Sequence, residues 1–240
     1  MALVVPAVLP SSLEDLKSQL RLLNNIPSIT RVQIDVVDGR FATPASWPYR
    51  GGVKVSSLVG NHEMLPDTHR IGYEIDLMCF DAEAVVGGWI AFGASRLTFH
   101  AESVTDLPRL LSSFKKRYGG GSEMGLPSLV SVGLALNIAS DLALIEQNVD
   151  SIEYVQFMGI AQIGQQGQPF DRRALEKIRI FHTRHPGMPI QVDGGVSLQV
   201  AKELLPLGVC NLVIGSAISR ARDPIAVVAE FEALQTPFGV

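Results

Sequence analysis

The chain has 240 residues, 47% hydrophobic and only 18% charged, with two cysteines and a formal net charge of −4. Average soluble domains carry roughly 25% charged residues, so this apolar chain is neither disordered nor a disulfide scaffold. No apolar run approaches the roughly 20 residues of a membrane-spanning helix, and no basic block of the kind that binds nucleic acid is present.

The apolar segment Met1 to Pro10 lacks a basic start and is interrupted by Pro6, so it predicts a buried first strand, Leu3–Leu9, rather than a secretory signal. Ser11-x-x-Glu14 then reads as a capping box for a helix with Leu13, Leu16, Leu20 and Leu23 on one face. A second apolar run, Val32–Val37, precedes the Gly- and Pro-rich stretch from Arg40 to Arg70, in which a helix is expected around Val53–Leu65. Further runs follow at Tyr73–Cys79 and Arg96–Phe99. Thr105 is the expected cap of a helix carrying Leu107, Leu110, Leu111 and Phe114, and Gly119-Gly120-Gly121-Ser122 an exposed loop behind it. The runs Leu129–Leu136 and Ile152–Phe157 come next, and then Asp171 before Ala174, Leu175, Ile178 and Phe181 at helical spacing. Pro189–Val192 and Asn211–Ile214 complete the set of runs, each followed by a helix start, Ser197 and Asp223-Pro224 respectively. Cys79 and Cys210 sit in apolar runs without CxxC spacing and read as core thiols of a reducing compartment.

Eight nearly continuous apolar runs alternating with helices predict parallel strands buried on both faces, joined by right-handed crossovers. A doubly wound sheet shares that alternation, but eight units in 240 residues match the roughly 250 residues of a (β/α)8 TIM barrel. The expectation is one barrel domain over residues 1–240, soluble and cytoplasmic.

Chemistry in such barrels sits at the C-terminal strand ends. Gln33 and Asp35 share a strand face, Asp76 interrupts the third run, His100 ends the fourth, and Asp193-Gly194-Gly195 and Gly215-Ser216 end the last two. A carboxylate in an apolar strand is costly unless paired or coordinated. Asp35, Asp76 and Asp193 would converge on one mouth and either share a cation or raise one another's pKa. The strands are expected to offer no interior Lys or Arg as a partner, which favours a functional site over structural ion pairing. The glycines of the last two loops suit close backbone approach to a phosphate.

Together these residues resemble the ribulose-phosphate 3-epimerase family. Asp35-Val36-Val37-Asp38-Gly39-Arg40-Phe41 is similar to the family's D-V-M-D-G-R-F, Asp76-Leu77-Met78 falls on H-L-M, and His100-Ala101-Glu102 on H-x-E. Met158 with Gly164-x-x-Gly167-Gln168-x-Phe170 resembles the sixth loop. Val192-Asp193-Gly194-Gly195-Val196 and Gly215-Ser216-Ala217 match V-D-G-G-V and G-S-A. The resemblance implies an isomerase acting on a ketose phosphate through an enediolate, with Asp35 and Asp193 as acid and base. It implies substrate contacts from Met78, His100, Met158, Gly164, Gly167, Gly194, Gly195, Gly215 and Ser216, and a homo-oligomer. It also implies a divalent metal (Mg, Mn, Fe or Zn) on Asp35, Asp76 and Asp193, with Gln33 as a fourth candidate. The departures fall at the site: the family's two histidine ligands are Gln33 and Asp76 here, its strand-end serine is Pro10, and one methionine is Val37. The N-P-G of its sixth loop is replaced by Ala161-Gln162-Ile163-Gly164, one residue longer. An all-oxygen set favours Mg²⁺ or Mn²⁺ over zinc; alternatively the metal is gone, and one carboxylate stays protonated or pairs with His100. The competing expectation is a non-catalytic or altered-substrate phosphosugar-binding protein. A related decarboxylase would need Asp-x-Lys-x-x-Asp, and neither Asp35-Val36-Val37 nor Asp76-Leu77-Met78 offers the lysine.

Overall fold

Eight strands pair in parallel and in chain order: β1 Leu3–Val8, β2 Arg31–Val37, β3 Gly72–Met78, β4 Ala94–His100, β5 Ser131–Leu136, β6 Tyr154–Met158, β7 Ile190–Asp193 and β8 Val209–Ile214. The last closes onto the first, with Leu3 opposite Asn211 and Pro6 opposite Ile214. This is the expected (β/α)8 TIM barrel, seen in a computed structural model that describes residues 3–119 and 130–234. The segment 120–122 of the expected glycine loop, and Leu129, lie outside the described residues.

The helices follow the predicted order, with local shifts. In α1 (Leu13–Asn24) the cap is Ser12 rather than Ser11: Ser12 Oγ accepts from Asp15 N at 3.1 Å, and Asp15 Oδ2 accepts from Ser11 N at 2.8 Å. Ser12 is thus the cap, and Asp15 reaches back past it to Ser11, so the expected Ser11–Glu14 box does not form. The helix expected over Val53–Leu65 shortens to α2 (Val55–Gly60), because the flanking amides bond elsewhere, Val53 N to Pro48 O and Leu65 N to Phe92 O. After α3 (Ala82–Phe92) comes α4 (Leu107–Tyr118), which is capped by Asp106, not Thr105: Asp106 Oδ1 accepts from Arg109 N at 3.0 Å. A short α5 (Ala143–Glu146) precedes α6 (Arg173–Arg184). The starts of α7 (Leu198–Leu204) and α9 (Pro224–Ala233) match the sequence reading, with Ser197 and Asp223 accepting from Val200 N and Ala226 N. Between them α8 (Ser216–Ser219) leads out of β8. Cys79 is buried, whereas Cys210 is only half-buried; both are free thiols.

The two faces of the strands differ more than the apolar runs imply. Outward residues such as Ile34, Ile75, Phe99, Leu134, Phe157 and Leu212 pack with helical residues such as Leu16, Trp89, Phe181 and Phe231 in one continuous apolar core. Contacts across the barrel, between strands that are not neighbours, are mostly polar. Gln33 on β2 bonds Asp193 on β7, Glu74 on β3 bonds Gln191 on β7, and Thr98 on β4 lies 2.8 Å from the Tyr154 hydroxyl on β6. Among the described residues the apolar share of the interior includes two small clusters, Val5 with Ala7 and Val213, and Val37 with Met78 and Ala42 nearer the mouth. Arg96 also enters this interior, its Nε 3.0 Å from Glu74 Oε2 and its guanidinium 3.7 Å from the centre of the Tyr154 ring. That corrects the expectation that the strands hold no interior cation, although its carboxylate partner is Glu74 and not one of the three aspartates. Room for Tyr154 comes from Gly133 on β5, where a Cβ would fall 2.4 Å from the ring.

Candidate active site at the barrel mouth

Parallel register places Gln33 beside Glu74 and Asp35 beside Asp76, while Met158 pairs with Asp193 on the far side of the mouth. Because alternate residues share a face, each of these strands contributes a lower polar residue and one at the mouth two positions later. One oxygen from each of Asp35, Asp76 and Asp193 lies within 4.8 Å of the others, and all three side chains are buried. Three amide or imidazole groups compensate them. Gln33 Nε2 donates to Asp35 Oδ1 (2.9 Å) and Asp193 Oδ2 (2.8 Å). Gln156 Nε2 donates to Asp76 Oδ2 (3.1 Å), and His100 Nε2 lies 3.1 Å from Asp76 Oδ1.

Burial, and then the charge of Asp76, pushes the Asp35 carboxyl up to about 7; the Gln33 hydrogen bond opposes the rise. Burial also lifts Asp193 well above the usual carboxylate range, with Asp35 and Asp76 adding to it. For His100 burial works downward, but the charge and hydrogen bond of Asp76 outweigh it and hold the imidazole above its ordinary value. The cluster therefore retains protons near neutral pH, as like charges crowded in a low dielectric require.

Above the aspartates opens a cavity of about 670 Å³, lined by Asp35, Asp193, Met78, Met158 and the loops after β6, β7 and β8. Its size suits a small phosphorylated metabolite. Gly164, Gly167, Gly194, Gly195, Gly215 and Ser216 all line it, so the structure gathers these sequence candidates with Asp35, Asp193 and both methionines. Gln33, Asp76 and His100 do not line it; each has no exposed area, and the Phe41 ring stands 5.3 Å from His100. Gly194 and Gly195 have φ of +102° and +69°, where an L side chain would be strained. A Cβ on Gly195 would also fall 2.6 Å from the Phe170 backbone, and one on Gly159 would fall 2.2 Å from Gly194 O. The loops after β6 and β7 thus pack closely, the Phe170 ring against Gly159 and the Ile160 side chain against Gly194.

Two other motif residues tie loops together. Asp38 accepts from the amides of Arg40 and Phe41 and, through its other oxygen, from Phe80, joining the loops after β2 and β3. Glu102 Oε1 accepts from Asn137 N at 2.8 Å, joining those after β4 and β5. Sequence reasoning missed Glu74, Gln156, Gln166 and Gln191. The first, second and fourth were detectable as polar residues two positions before Asp76, Met158 and Asp193. Gln166 lies in a loop with no such period; its Nε2 donates to Ala7 O at 3.2 Å and fills the space over Gly215.

By number and spacing Asp35, Asp76 and Asp193 could hold a metal ion. The four-ligand centre with two histidines does not fit these residues. At the Gln33 position an amide nitrogen faces the carboxylates, and Gln33 Oε1 instead accepts from Gln191 Nε2 at 3.2 Å.

Comparison with known proteins is consistent along the chain. The sequence model of the Ribulose-phosphate 3 epimerase family matches residues 3–219. A ribulose-phosphate 3-epimerase of Aquifex aeolicus is 26% identical over 205 residues, covering 83% of this chain and 82% of that protein. One from Schizosaccharomyces pombe is 23% identical over 228 residues, covering 95% and 91%. Among solved structures, KGPDC from Streptococcus mutans superposes with a TM-score of 0.68 at 16% identity, over 97% of this chain and 96% of that one. The 3-hexulose-6-phosphate synthase from Salmonella typhimurium gives 0.63 at 15% identity, over 96% and 97%. At that identity the structural likeness speaks for the barrel alone.

Proposed function

The chain belongs to the ribulose-phosphate 3-epimerase family, and we propose that it interconverts ketose phosphates epimeric at C3, with ribulose 5-phosphate and xylulose 5-phosphate as the pair to test. The observation that carries this reading is that Asp35 and Asp193, on strands that are not neighbours, both line the cavity, each accepting one N–H of Gln33. One carboxylate takes the proton from C3, next to the carbonyl; the other, protonated, returns a proton to the opposite face of the planar enediolate. Their raised pKa values suit this, since one of the pair must carry a proton while the other accepts one. Negative charge developing on the enediolate meets the protonated carboxyls of the pair, whose hydrogen-bond donors are already in place as that charge appears. Gly194, Gly195, Gly215 and Ser216 bring main-chain groups to the phosphate, while Met78 and Met158 form the apolar wall beside the sugar carbons. Each of these roles is filled by the chain's own residues.

Incubation in D₂O with ribulose 5-phosphate tests the reading: deuterium enters C3, and Asp35→Asn and Asp193→Asn each abolish its entry. Full exchange in either variant overturns the assignment. A non-catalytic phosphosugar-binding role is not favoured, because both aspartates are retained at the mouth. On the same reading the protein works in the cytoplasm as a homo-oligomer, a dimer or larger, which sedimentation of the full chain checks.

A further inference from the structure

The aspartate cluster stands on a second polar layer, and that lower layer sets the direction of the hydrogen bonds between the two. Glu74 is enclosed by donors: Oε1 accepts from Thr98 Oγ1 (2.9 Å) and Gln191 Nε2 (2.6 Å), and Oε2 accepts from Arg96 Nε (3.0 Å). Gln191 must therefore present its nitrogen, not its oxygen, toward Glu74. Of its two hydrogens one points to Glu74 and the other is shared between Gln156 Oε1 at 2.8 Å and Gln33 Oε1 at 3.2 Å. With their oxygens turned down to Gln191, Gln33 and Gln156 turn their nitrogens up to the carboxylates. The two hydrogens on Gln33 Nε2 match its two acceptors, Asp35 Oδ1 and Asp193 Oδ2.

A cation needs lone pairs from its ligands. To supply one, Gln33 would rotate its amide by half a turn and set Nε2 against Gln191 Nε2. Gln191 could give way only by aiming its own oxygen at the Glu74 carboxylate. Each reversal faces donor with donor or acceptor with acceptor in a buried site, where unmade hydrogen bonds are expensive. The amide groups, meanwhile, fill the gap between carboxylates that a shared ion would bridge.

We propose that this barrel neutralises its aspartate cluster with the Gln33 and Gln156 amides instead of a divalent metal, and that Gln191 and Glu74 are the positioning residues that fix those amides as donors. The proposal deepens the acid–base reading of Asp35 and Asp193 and rests on it for its link to catalysis. The test counts ions directly. The purified chain is stripped with chelator and dialysed against Mn²⁺ or Zn²⁺, and bound ion is read by electron paramagnetic resonance or elemental mass spectrometry. The wild type is expected to bind neither stoichiometrically; stoichiometric binding that is lost in Asp76→Asn overturns the proposal. In Gln191→Met the lock on Gln33 is gone, so its oxygen can turn upward and Mn²⁺ binding appears, a gain that a merely structural role for Gln191 would not produce. No binding in a folded Gln191→Met overturns the positioning role. Should that variant fail to fold, Gln33→Glu reads the same point by supplying the missing oxygen directly: binding there but not in the wild type supports the proposal, and binding in neither overturns it. Deuterium entry at C3 is expected to be unchanged by chelation. If no exchange occurs while the ion counts come out as expected, the epimerase reading fails and the amide assignment stands.

Discussion

The shell between barrel and helices and the interior of the barrel are both fully buried, yet they are built on opposite principles. The shell is apolar and redundant: dozens of side chains from Val4 to Phe231 form one contact network, and hydrophobic burial is non-directional. The interior is polar and directional. Glu74, Arg96, Thr98, Tyr154, Gln191, Gln156 and Gln33 each hold a partner in a set geometry and end at three carboxylates. The shell secures the fold by quantity, whereas the interior depends on each bond being made in the right direction.

Mutation should separate the two. The largest effect is expected at the mouth: Asp35→Asn or Asp193→Asn should lower turnover of the ketose phosphate by about 10²–10⁴-fold, the usual contribution of a positioned acid or base. Thermal melts of the same variants should show no loss of stability, because an amide replaces a buried, crowded carboxyl. One layer down, Glu74→Ala leaves Arg96 without its buried partner and should cost about 3–5 kcal/mol in chemical denaturation. In the shell, Phe157→Ala should cost a similar ~3–5 kcal/mol through its cavity, but with the site intact and kcat unchanged. Ile34→Val should cost only ~0.5–1.5 kcal/mol. It should add to other distant shell changes, whereas Glu74 and Gln191 variants should combine non-additively.

The pH dependence of stability sharpens the contrast further. Asp35 holds its proton in the folded state up to about 7, far above its ordinary 3.8. Its favourable contribution is therefore complete below the ordinary carboxylate value and is lost as pH rises through about 7, since the folded state binds the extra proton in that window. Denaturation followed from about pH 4 to 8 should show this decline, and Asp35→Asn should make it shallower, with the share from Asp193 and His100 remaining. An unchanged slope would mean that Asp35 is ionised in the fold.

The difference between the regions also decides what the sequence could reveal. Apolar runs and helical stripes report burial, and burial defines the shell, so all eight strands and the barrel were legible. Asp35, Asp76 and Asp193 stood out because a carboxylate inside such a run is anomalous. Gln156 and Gln191 are uncharged and carried no comparable signal, although they sit in the same alternating positions. The Arg96–Glu74 pair was hidden for another reason: its partners come from different strands, and only the register of β3 against β4 brings them together. The shifts at the caps of α1 and α4 were smaller, because adjacent residues, Ser11 and Ser12 or Thr105 and Asp106, both have the chemistry to cap.

The junction of the loops after β6 and β7 bears on how such a site can change over time. Gly159 N donates to Asp193 O at 2.6 Å, Asp171 N donates to Gly159 O at 2.7 Å, and Phe170 lies against Gly159 and Gly195. Both ends of the sixth loop are thus clamped, while Ala161, Gln162 and Gln165 between them are exposed. Length and composition can drift in the middle without moving the ends. The loop behaves as a replaceable cassette with fixed sockets: a graft that keeps Gly159 and Phe170 can vary what lies over the sugar, while a graft that alters either socket displaces Asp193.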